Sequence, residues 1–241
     1  MEIKLNGQTV KNEKILHIHL STQVPERYEQ LEQSLSNKKF QLFLKRSFDI
    51  IVATTLILLF LPILITIALI IKLTSRGPVL YSNERVGLKG KHFKCHKFRS
   101  MVIDNSRKQP DHKRYIEHAE KGILHKEKND TRITLIGKFI RRTSIDELPQ
   151  LFNVLYGDMS IVGPRPLVPF MLSPFPEFKE IRSLVRPGIT GLWQIKARER
   201  NTSAEFMIQH DIEYIEKYSL FFDIKILAET PLVVLSGKGA Y

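Results

Sequence analysis

The sequence predicts an α+β protein in which a membrane-embedded re-entrant helix carries a small cytoplasmic domain of short strands and amphipathic interfacial helices. Three observations support this fold class. The segment 50–71 holds 22 residues without a charge, short segments after Gly77 are rich in β-branched and aromatic residues, and two amphipathic stretches lie near the C-terminus. We expect a polar accessory arm over 1–44, the membrane helix over 45–76, and a cytoplasmic-face domain over 77–241.

The apolar run, "IIVATTLILLFLPILITIALII", is long enough to cross a bilayer, since its residues would span about 33 Å as a helix. Pro62 lies near its middle, where a proline removes one backbone hydrogen bond and bends a helix. Lysines and arginines flank the run on both sides, whereas a spanning helix concentrates them on the cytoplasmic side. These features favour a helix that enters and leaves by the same face, with a buried polar partner at the bend. A single spanning helix and a buried core helix are the alternatives.

The segments around the apolar run predict further elements. A helix is expected after Pro25 in the accessory arm, and "PVLYSNERVG" and "KHFKCHKFRSM" resemble the two strands of a hairpin. The charged segment Asn105–Asp130 is interpreted as a mobile helical insertion, and "GDMSIVGPRPLVP" as irregular because of its glycines and prolines.

Two apolar stripes at helical spacing lie near the C-terminus and predict two amphipathic helices. The first stripe consists of Ile208, Ile212, Ile215, Tyr218 and Phe222. The second consists of Ile224, Leu227, Ala228, Leu232 and Leu235. Such stripes are typical of core faces and also of helices that lie in the plane of the lipid headgroups, so both interpretations stay open.

The composition restricts the partners. A net charge of +12 and a pI near 9.7 indicate an anionic partner, which can be nucleic acid, an acidic membrane surface or a phosphorylated substrate. Nucleic acid is the weakest of these, because no recognised nucleic-acid-binding motif is present. The single cysteine, Cys95, excludes a disulfide within the chain.

The stretch "RRTSIDELPQLFNVL" places Asp146 and Glu147 side by side before a proline that suits a first helical turn. One interpretation is structural: Ser144 and Glu147 have the spacing of a capping box at a helix that begins near Leu148. The other is catalytic. Basic residues precede the pair, a helix start attracts anions, and carboxylates bind Mg²⁺, so an aspartate nucleophile could meet a phosphate here.

Basic residues form two further groups of candidates. Arg165 lies between prolines in "GPRP", where a stiff backbone holds its planar guanidinium ready for a diphosphate. An acid-free stretch contains Arg85, Lys89, Lys91, Lys94, Lys97 and Arg99. We interpret its lysines as solvated or lipid-facing surface and retain Arg99 as a substrate-binding candidate. "HFKCH" is not expected to bind a metal, because a lysine lies between its two histidines on one strand face.

Several motifs occur in an order that resembles the bacterial sugar transferase family, the monotopic polyprenyl-phosphate phosphoglycosyl transferases. They are "KRSFDIIVA", an apolar run with a central proline, "GPVLYSNERVG", "KFRSM", "RRTSIDELPQLFNVLYGDMSIVGPRP", "RPGITGLWQ" and "DIEYIEKYSLFFDIKIL". The resemblance covers residues 45–241. One departure is Leu61, which stands before the central proline where small members often have serine.

The resemblance implies an enzyme on the cytoplasmic face of the bacterial inner membrane. By this resemblance, Asp146 attacks the β-phosphate of a UDP-sugar and releases UMP, and polyprenyl phosphate then takes the phosphosugar from the enzyme. Glu147 is associated with Mg²⁺, while Arg141 and the triplet Pro164, Arg165 and Pro166 lie with the phosphates of the nucleotide sugar. Such a reaction starts the assembly of exopolysaccharide, O-antigen or glycoprotein glycans, and relatives often use UDP-galactose or UDP-glucose.

Other functions are alternatives at this stage. A non-catalytic basic adaptor on the membrane surface would need neither Asp146 nor a metal, and an ordinary glycosyltransferase would release UDP from the same donor. The sequence leaves a homo-oligomer open.

Overall fold

The computed structural model describes residues 3–5, 8–10, 26–102, 131–173, 176–197 and 204–235. The helical insertion predicted at 105–130 lies outside these residues. The helices are α1 (26–36), α2 (Lys39–Thr74), α3 (Leu135–Arg142), α4 (Gln150–Tyr156), α5 (Pro169–Leu172), α6 (Pro176–Arg182), α7 (Leu192–Ala197), α8 (Ala204–Glu216) and α9 (Leu220–Leu235). The strands are β1 (Ile3–Leu5), β2 (Gln8–Val10), β3 (Leu80–Val86), β4 (His92–Phe98), β5 (Ser160–Val162) and β6 (Gly188–Thr190). This mixture of helices and small two-stranded sheets agrees with the predicted α+β content.

Helix α2 contains the apolar run and begins at Lys39, six residues before the predicted boundary at 45. Its 36 residues correspond to about 54 Å of helix, which exceeds the ~30 Å hydrocarbon core of a bilayer. Only 17% of its most apolar window is buried against the rest of the protein. Within the described residues, α2 is the one helix long and apolar enough to cross a membrane.

Pro62 lies inside α2, and the helix continues through it. The Thr66 hydroxyl donates to the Pro62 carbonyl over 2.8 Å, which is a type of contact that often bends helices. This contact is exposed and involves the Pro62 carbonyl, whereas the proline frees the Leu58 carbonyl, so it is not the buried polar partner expected at the bend. The re-entrant path itself stays a prediction.

The hairpin predicted after Gly77 is confirmed. Strands β3 and β4 pair antiparallel over their full length, from Leu80 opposite Phe98 to Val86 opposite His92. A 3₁₀ turn at Leu88–Gly90 connects them. Side chains alternate between the faces of a strand, so one face of β4 carries Cys95, which is fully buried.

A short parallel pair, β5 and β6, lies where the sequence suggested irregular structure. Ser160 pairs with Gly188 and Val162 with Thr190. Gly163, one of the glycines that suggested a loop, serves another purpose, since a Cβ atom on it would lie 2.4 Å from the Arg186 carbonyl oxygen and 2.8 Å from the Gly188 nitrogen. The absence of a side chain lets the two backbones approach, and β5 enters the core with all of its residues buried.

The two C-terminal stripes have different surroundings. In the first, Ile208, Ile212 and Ile215 are buried in the main core, so this stripe is a core face. The second is divided: Leu227 packs against the core while Leu232 is 72% exposed. Helix α9 therefore presents apolar side chains to its surroundings, and an interfacial position stays open for it.

Part of the predicted accessory arm contacts the domain. The helix expected after Pro25 is present as α1, and its residues Leu31 and Leu35 belong to the main core. Arg27 forms an ion pair with Glu216, so α1 is held against the end of α8.

Candidate active site

The two adjacent carboxylates lie on a 3₁₀ turn, Ile145–Glu147, between α3 and α4. The predicted capping box is wrong. Ser144 has the left-handed conformation, with φ of 58°, and its side chain makes no capping hydrogen bond. The following helix begins at Gln150 with Pro149 as its N-cap, which is two residues later than predicted. The turn separates Asp146 and Glu147 from the regular helix, so capping does not account for the pair.

Glu147 accepts contacts from two cations that come from different parts of the chain. The Lys97 ammonium on β4 lies 2.6 Å from Glu147 Oε1, and the Arg165 guanidinium lies 3.4 Å from the same oxygen. About one fifth of the Glu147 side chain is exposed. The site thus combines a carboxylate with two positive charges at a partly open surface.

Asp146, like its neighbour, is partly buried. Burial, together with the adjacent Glu147, raises the pKa of its carboxyl from 3.8 to about 6. Lys97, Arg141 and Arg165 act in the opposite direction and lower this pKa. Near pH 7 the carboxylate form predominates, with less solvation than a surface aspartate has, which suits a nucleophile.

Sequence reasoning missed Lys97 and Arg85, which it assigned to the surface or left without a role. Both line a small pocket beside Glu147, together with Cys95 and Arg165. The alternation of side chains between the two faces of β4 could have identified Lys97 as a candidate. Residues two apart share a face, so Lys97 lies on the same side of the strand as the buried Cys95.

The Pro164–Pro166 triplet is held on both sides by hydrogen bonds to its carbonyl groups. The Gly188 amide donates to the Pro164 carbonyl over 2.9 Å, and the Arg85 guanidinium donates to the Pro166 carbonyl over 3.1 Å. These bonds fix the backbone from which Arg165 reaches Glu147. The predicted proximity of Arg165 to the carboxylate pair is present in the structure.

Arg182 also contacts the backbone of this triplet, and sequence reasoning missed it. Its guanidinium donates to the Arg165 carbonyl and forms a buried ion pair with Asp211, with Nε lying 3.0 Å from Oδ2. Burial raises the pKa of Asp211 to about 6, and Arg182 and His210 oppose this shift. No local pattern reveals this contact, because 29 residues separate the two partners.

Arg141 and Arg99 differ in their relation to the site. Arg141 lies in the last turn of α3, close enough to Asp146 to lower its pKa. Arg99 is 5% exposed, and its guanidinium donates to the carbonyls of Ser75 and Arg76 just beyond the end of α2. These contacts give Arg99 a structural role at the helix end, and they do not support the predicted substrate contact.

Comparison with known proteins identifies the family. The family model described as bacterial sugar transferase matches residues 40–237. This chain belongs to the bacterial sugar transferase family. The match confirms the resemblance drawn from the motifs and extends it slightly beyond the N-terminal limit at residue 45.

Curated sugar transferases from several bacteria are similar to this chain. An undecaprenyl-phosphate galactose phosphotransferase from Salmonella typhimurium is 43% identical over 207 residues, which cover 85% of this chain and 43% of that protein. A UDP-glucose:undecaprenyl-phosphate glucose-1-phosphate transferase from Escherichia coli is 42% identical over 206 residues, covering 82% and 41%. The exopolysaccharide production protein ExoY from Rhizobium meliloti is 38% identical over 204 residues, covering 82% and 88%. The chain thus spans about two fifths of the first two relatives and most of the third.

The carboxylate pair of this sugar transferase is compatible with Mg²⁺. Among the described residues there is no group of three or more histidine, cysteine, aspartate or glutamate side chains that could hold a metal alone. Mg²⁺ does not require one, because it is commonly bound through one or two carboxylates, with waters and substrate phosphates completing its shell. Asp146 and Glu147 would supply those carboxylates.

Proposed function

We propose that this chain is a phosphotransferase that moves sugar-1-phosphate from a UDP-sugar to polyprenyl phosphate at a membrane surface. One observation carries the proposal: a partly buried aspartate adjoins a glutamate that Lys97 and Arg165 contact. Such a site matches a reaction between two phosphate-bearing substrates, because cations neutralise the phosphoryl oxygens while a carboxylate attacks. The names of the relatives, which include undecaprenyl-phosphate galactose and glucose phosphotransferases, support the same class of substrates.

The proposed reaction has two steps at one carboxylate. First, an oxygen of Asp146 attacks the β-phosphorus of the UDP-sugar, and the bond from that phosphorus to the bridging oxygen breaks. The bridging oxygen leaves with UMP, and the phosphosugar stays bonded to Asp146. Second, a phosphate oxygen of the polyprenyl phosphate attacks the same phosphorus, the bond to Asp146 breaks, and polyprenyl-diphosphate-sugar forms.

The basic side chains have separate roles in these steps. Lys97 and Arg165 bind the phosphoryl oxygens and spread their charge, and Arg141 favours the ionised form of Asp146. Arg85 holds the backbone of the Pro164–Pro166 triplet. Mg²⁺, held by Glu147 and Asp146, would supply additional neutralisation of phosphate charge when it is bound.

The proposed location is the cytoplasmic face of the bacterial inner membrane, with α2 entering and leaving by that face. The basic flanks on both sides of the apolar run support this topology. Tags at both ends of the chain are expected to react with an impermeant reagent only when the cytoplasmic side is open. A tag at the N-terminus that reacts from the periplasm would show a spanning helix instead.

The nucleotide that is released tests the reaction. Purified protein in nanodiscs is incubated with UDP-galactose or UDP-glucose, Mg²⁺ and undecaprenyl phosphate, and the nucleotide product is identified. We expect UMP from the wild type and none from Asp146→Asn, whereas Glu180→Gln, which alters an exposed acid, keeps full activity. Release of UDP, or undiminished turnover in Asp146→Asn, would refute the mechanism. A membrane adaptor would release no nucleotide at all.

A further inference from the structure

An apolar cavity of about 200 Å³ lies between α2 and the Ile145–Glu147 turn that carries the two carboxylates. Leu56 of α2 forms one wall, Leu148 and Leu151 form a second, and Leu227 and Val233 of α9 form a third. None of its described lining residues is a lysine or an arginine. The cavity therefore has the surface chemistry of a hydrocarbon site.

Glu147 separates this cavity from the basic pocket described above. Both spaces are lined by Glu147, and only the basic pocket is lined by Arg85, Lys97 and Arg165. A ligand that occupied both spaces would place a phosphate among the cations and an apolar chain against Leu56. Such a division of charge matches a molecule with a phosphate head and an isoprenoid tail.

The cavity wall contains five polar side chains, two of which are paired with each other. The hydroxyls of Thr190 and Thr230 bond to each other over 2.9 Å, and the Thr230 hydroxyl also donates to the Ile226 carbonyl over 2.8 Å. The other three are Ser144, Glu147 and Gln194. Gln194 Oε1 is buried without a hydrogen-bond partner among the described residues. The remaining eight lining residues are apolar, so apolar contacts dominate what the wall offers to a ligand. A uracil base or a sugar ring, which carries several donors and acceptors, would lose hydrogen bonds to water there.

We propose that this cavity binds the phosphate-proximal isoprene units of the polyprenyl phosphate acceptor and thereby directs its phosphate to Asp146. The inference rests on the proposed function and adds to it the place where the acceptor enters. A cavity of about 150 Å³ lined by apolar side chains accommodates a benzene-sized molecule, so the present one suits one or two five-carbon units. The remainder of the isoprenoid chain would run along the exposed apolar side chains of α2 into the bilayer, among them Leu58 and Leu59.

Filling the cavity tests the proposal, because the two steps of the reaction can be measured separately. In Leu227→Trp, the added ring occupies space that the isoprene units would take. We expect kcat/KM for undecaprenyl phosphate to fall by about tenfold or more, since overfilling a packed apolar site is strongly unfavourable. The burst of UMP formed from donor alone should keep its amplitude and rate. Leu232→Trp is the matched control, because it makes the same substitution on the outer side of α9 and should change neither step.

The outcomes distinguish this inference from the proposed function. If the wild type gives no UMP burst, the proposed function fails. If the burst is normal but Leu227→Trp uses undecaprenyl phosphate as well as the wild type does, the cavity does not bind the acceptor. Equal losses in Leu227→Trp and Leu232→Trp would also overturn the inference, because they would indicate a general effect on membrane binding.

Acceptors of different length provide a second measurement, which does not depend on one variant. Geranyl phosphate contains only two isoprene units, so the loss in Leu227→Trp should be similar for geranyl and undecaprenyl phosphate. A loss confined to undecaprenyl phosphate would show that the cavity serves the distal chain or a bilayer lipid, which contradicts the proposal. The smaller change Val233→Phe should act in the same direction, and it replaces Leu227→Trp if that variant gives no burst.

Discussion

The Lys45 ammonium lies 2.7 Å from the Asp223 carboxylate, and both side chains are buried where α2 meets the rest of the domain. Lys45 also donates to the Val162 carbonyl and lies 3.8 Å from Asp49. The Tyr214 hydroxyl donates to Asp223 over 2.8 Å. One lysine therefore faces two carboxylates in the interior. This cluster connects α2 to β5, α8 and α9 and thereby fixes α2 relative to the domain that carries the Ile145–Glu147 turn.

Removal of Lys45 is expected to destabilise the protein more than removal of Asp223. Lys45→Met leaves two buried carboxylates without a cation, which costs about 3–5 kcal/mol of unfolding free energy. Asp223→Asn leaves Lys45 close to Asp49 and should cost about 1–3 kcal/mol. Thermal unfolding in the same detergent should give the highest Tm for the wild type, a lower Tm for Asp223→Asn and the lowest for Lys45→Met. The reverse order for the two variants would show that the cation is not the limiting member of the cluster.

Lys97 is expected to act in the reaction, and Lys94 is not, although both lie on β4. Lys97→Met removes a charge 2.6 Å from Glu147, and loss of one group of this kind typically reduces the rate by about 10²–10³. Lys94 is exposed on the other face of the strand, so Lys94→Met should keep the wild-type rate. The rate of the UMP burst with donor alone measures both variants. Similar rates for the two would place Lys97 outside the catalytic site.

The features that sequence could predict are those set by local pattern. The uncharged run produced α2, the two segments rich in β-branched and aromatic residues produced the hairpin, and the stripe from Ile208 to Ile215 produced a core helix. In each case the composition or the spacing of neighbouring residues indicates the element without knowledge of tertiary contacts. The carboxylate pair and Arg165 were singled out because of their unusual neighbours, and the structure places Arg165 beside Glu147, while their roles in the reaction stay predictions.

The features that sequence could not predict depend on contacts between distant residues. Lys45 and Asp223 are 178 residues apart, and no period links them. The capping box failed for a related reason: the spacing of Ser144 and Glu147 fits a cap, but Glu147 is engaged by Lys97, which lies 50 residues earlier. Arg99 was misassigned because its basic neighbours suggested a phosphate, whereas burial directs its donors to backbone carbonyls.

Arg182 is expected to act as a positioning residue for the donor, through its contact with the Arg165 carbonyl. Arg182→Lys keeps a positive charge beside Asp211 but loses the forked geometry that joins Asp211 to that carbonyl. We expect KM for the UDP-sugar to rise by about tenfold, which corresponds to a loss of about 1.4 kcal/mol of binding free energy. Tm should change little. Arg182→Met should lower both Tm and activity, because it leaves Asp211 without its cation. A normal KM in Arg182→Lys would show that the contact only stabilises the fold.

Metal dependence is expected to pass through Glu147. Removal of divalent cations with EDTA should stop UMP release, and added Mg²⁺ should restore it. The two adjacent carboxylates repel a negatively charged diphosphate, and a bound Mg²⁺ would offset this repulsion. Glu147→Gln removes one of the two negative charges, so the Mg²⁺ concentration for half-maximal activity should rise by about tenfold or more. Titration of the burst rate with Mg²⁺ measures the shift, and Glu180→Gln serves as the control because that acid is exposed on α6. Full activity in EDTA would exclude a metal role, and an unchanged Mg²⁺ requirement in Glu147→Gln would place the metal on other groups. A lower maximal rate with the same Mg²⁺ requirement would instead identify Glu147 as the residue that orients Lys97 and Arg165.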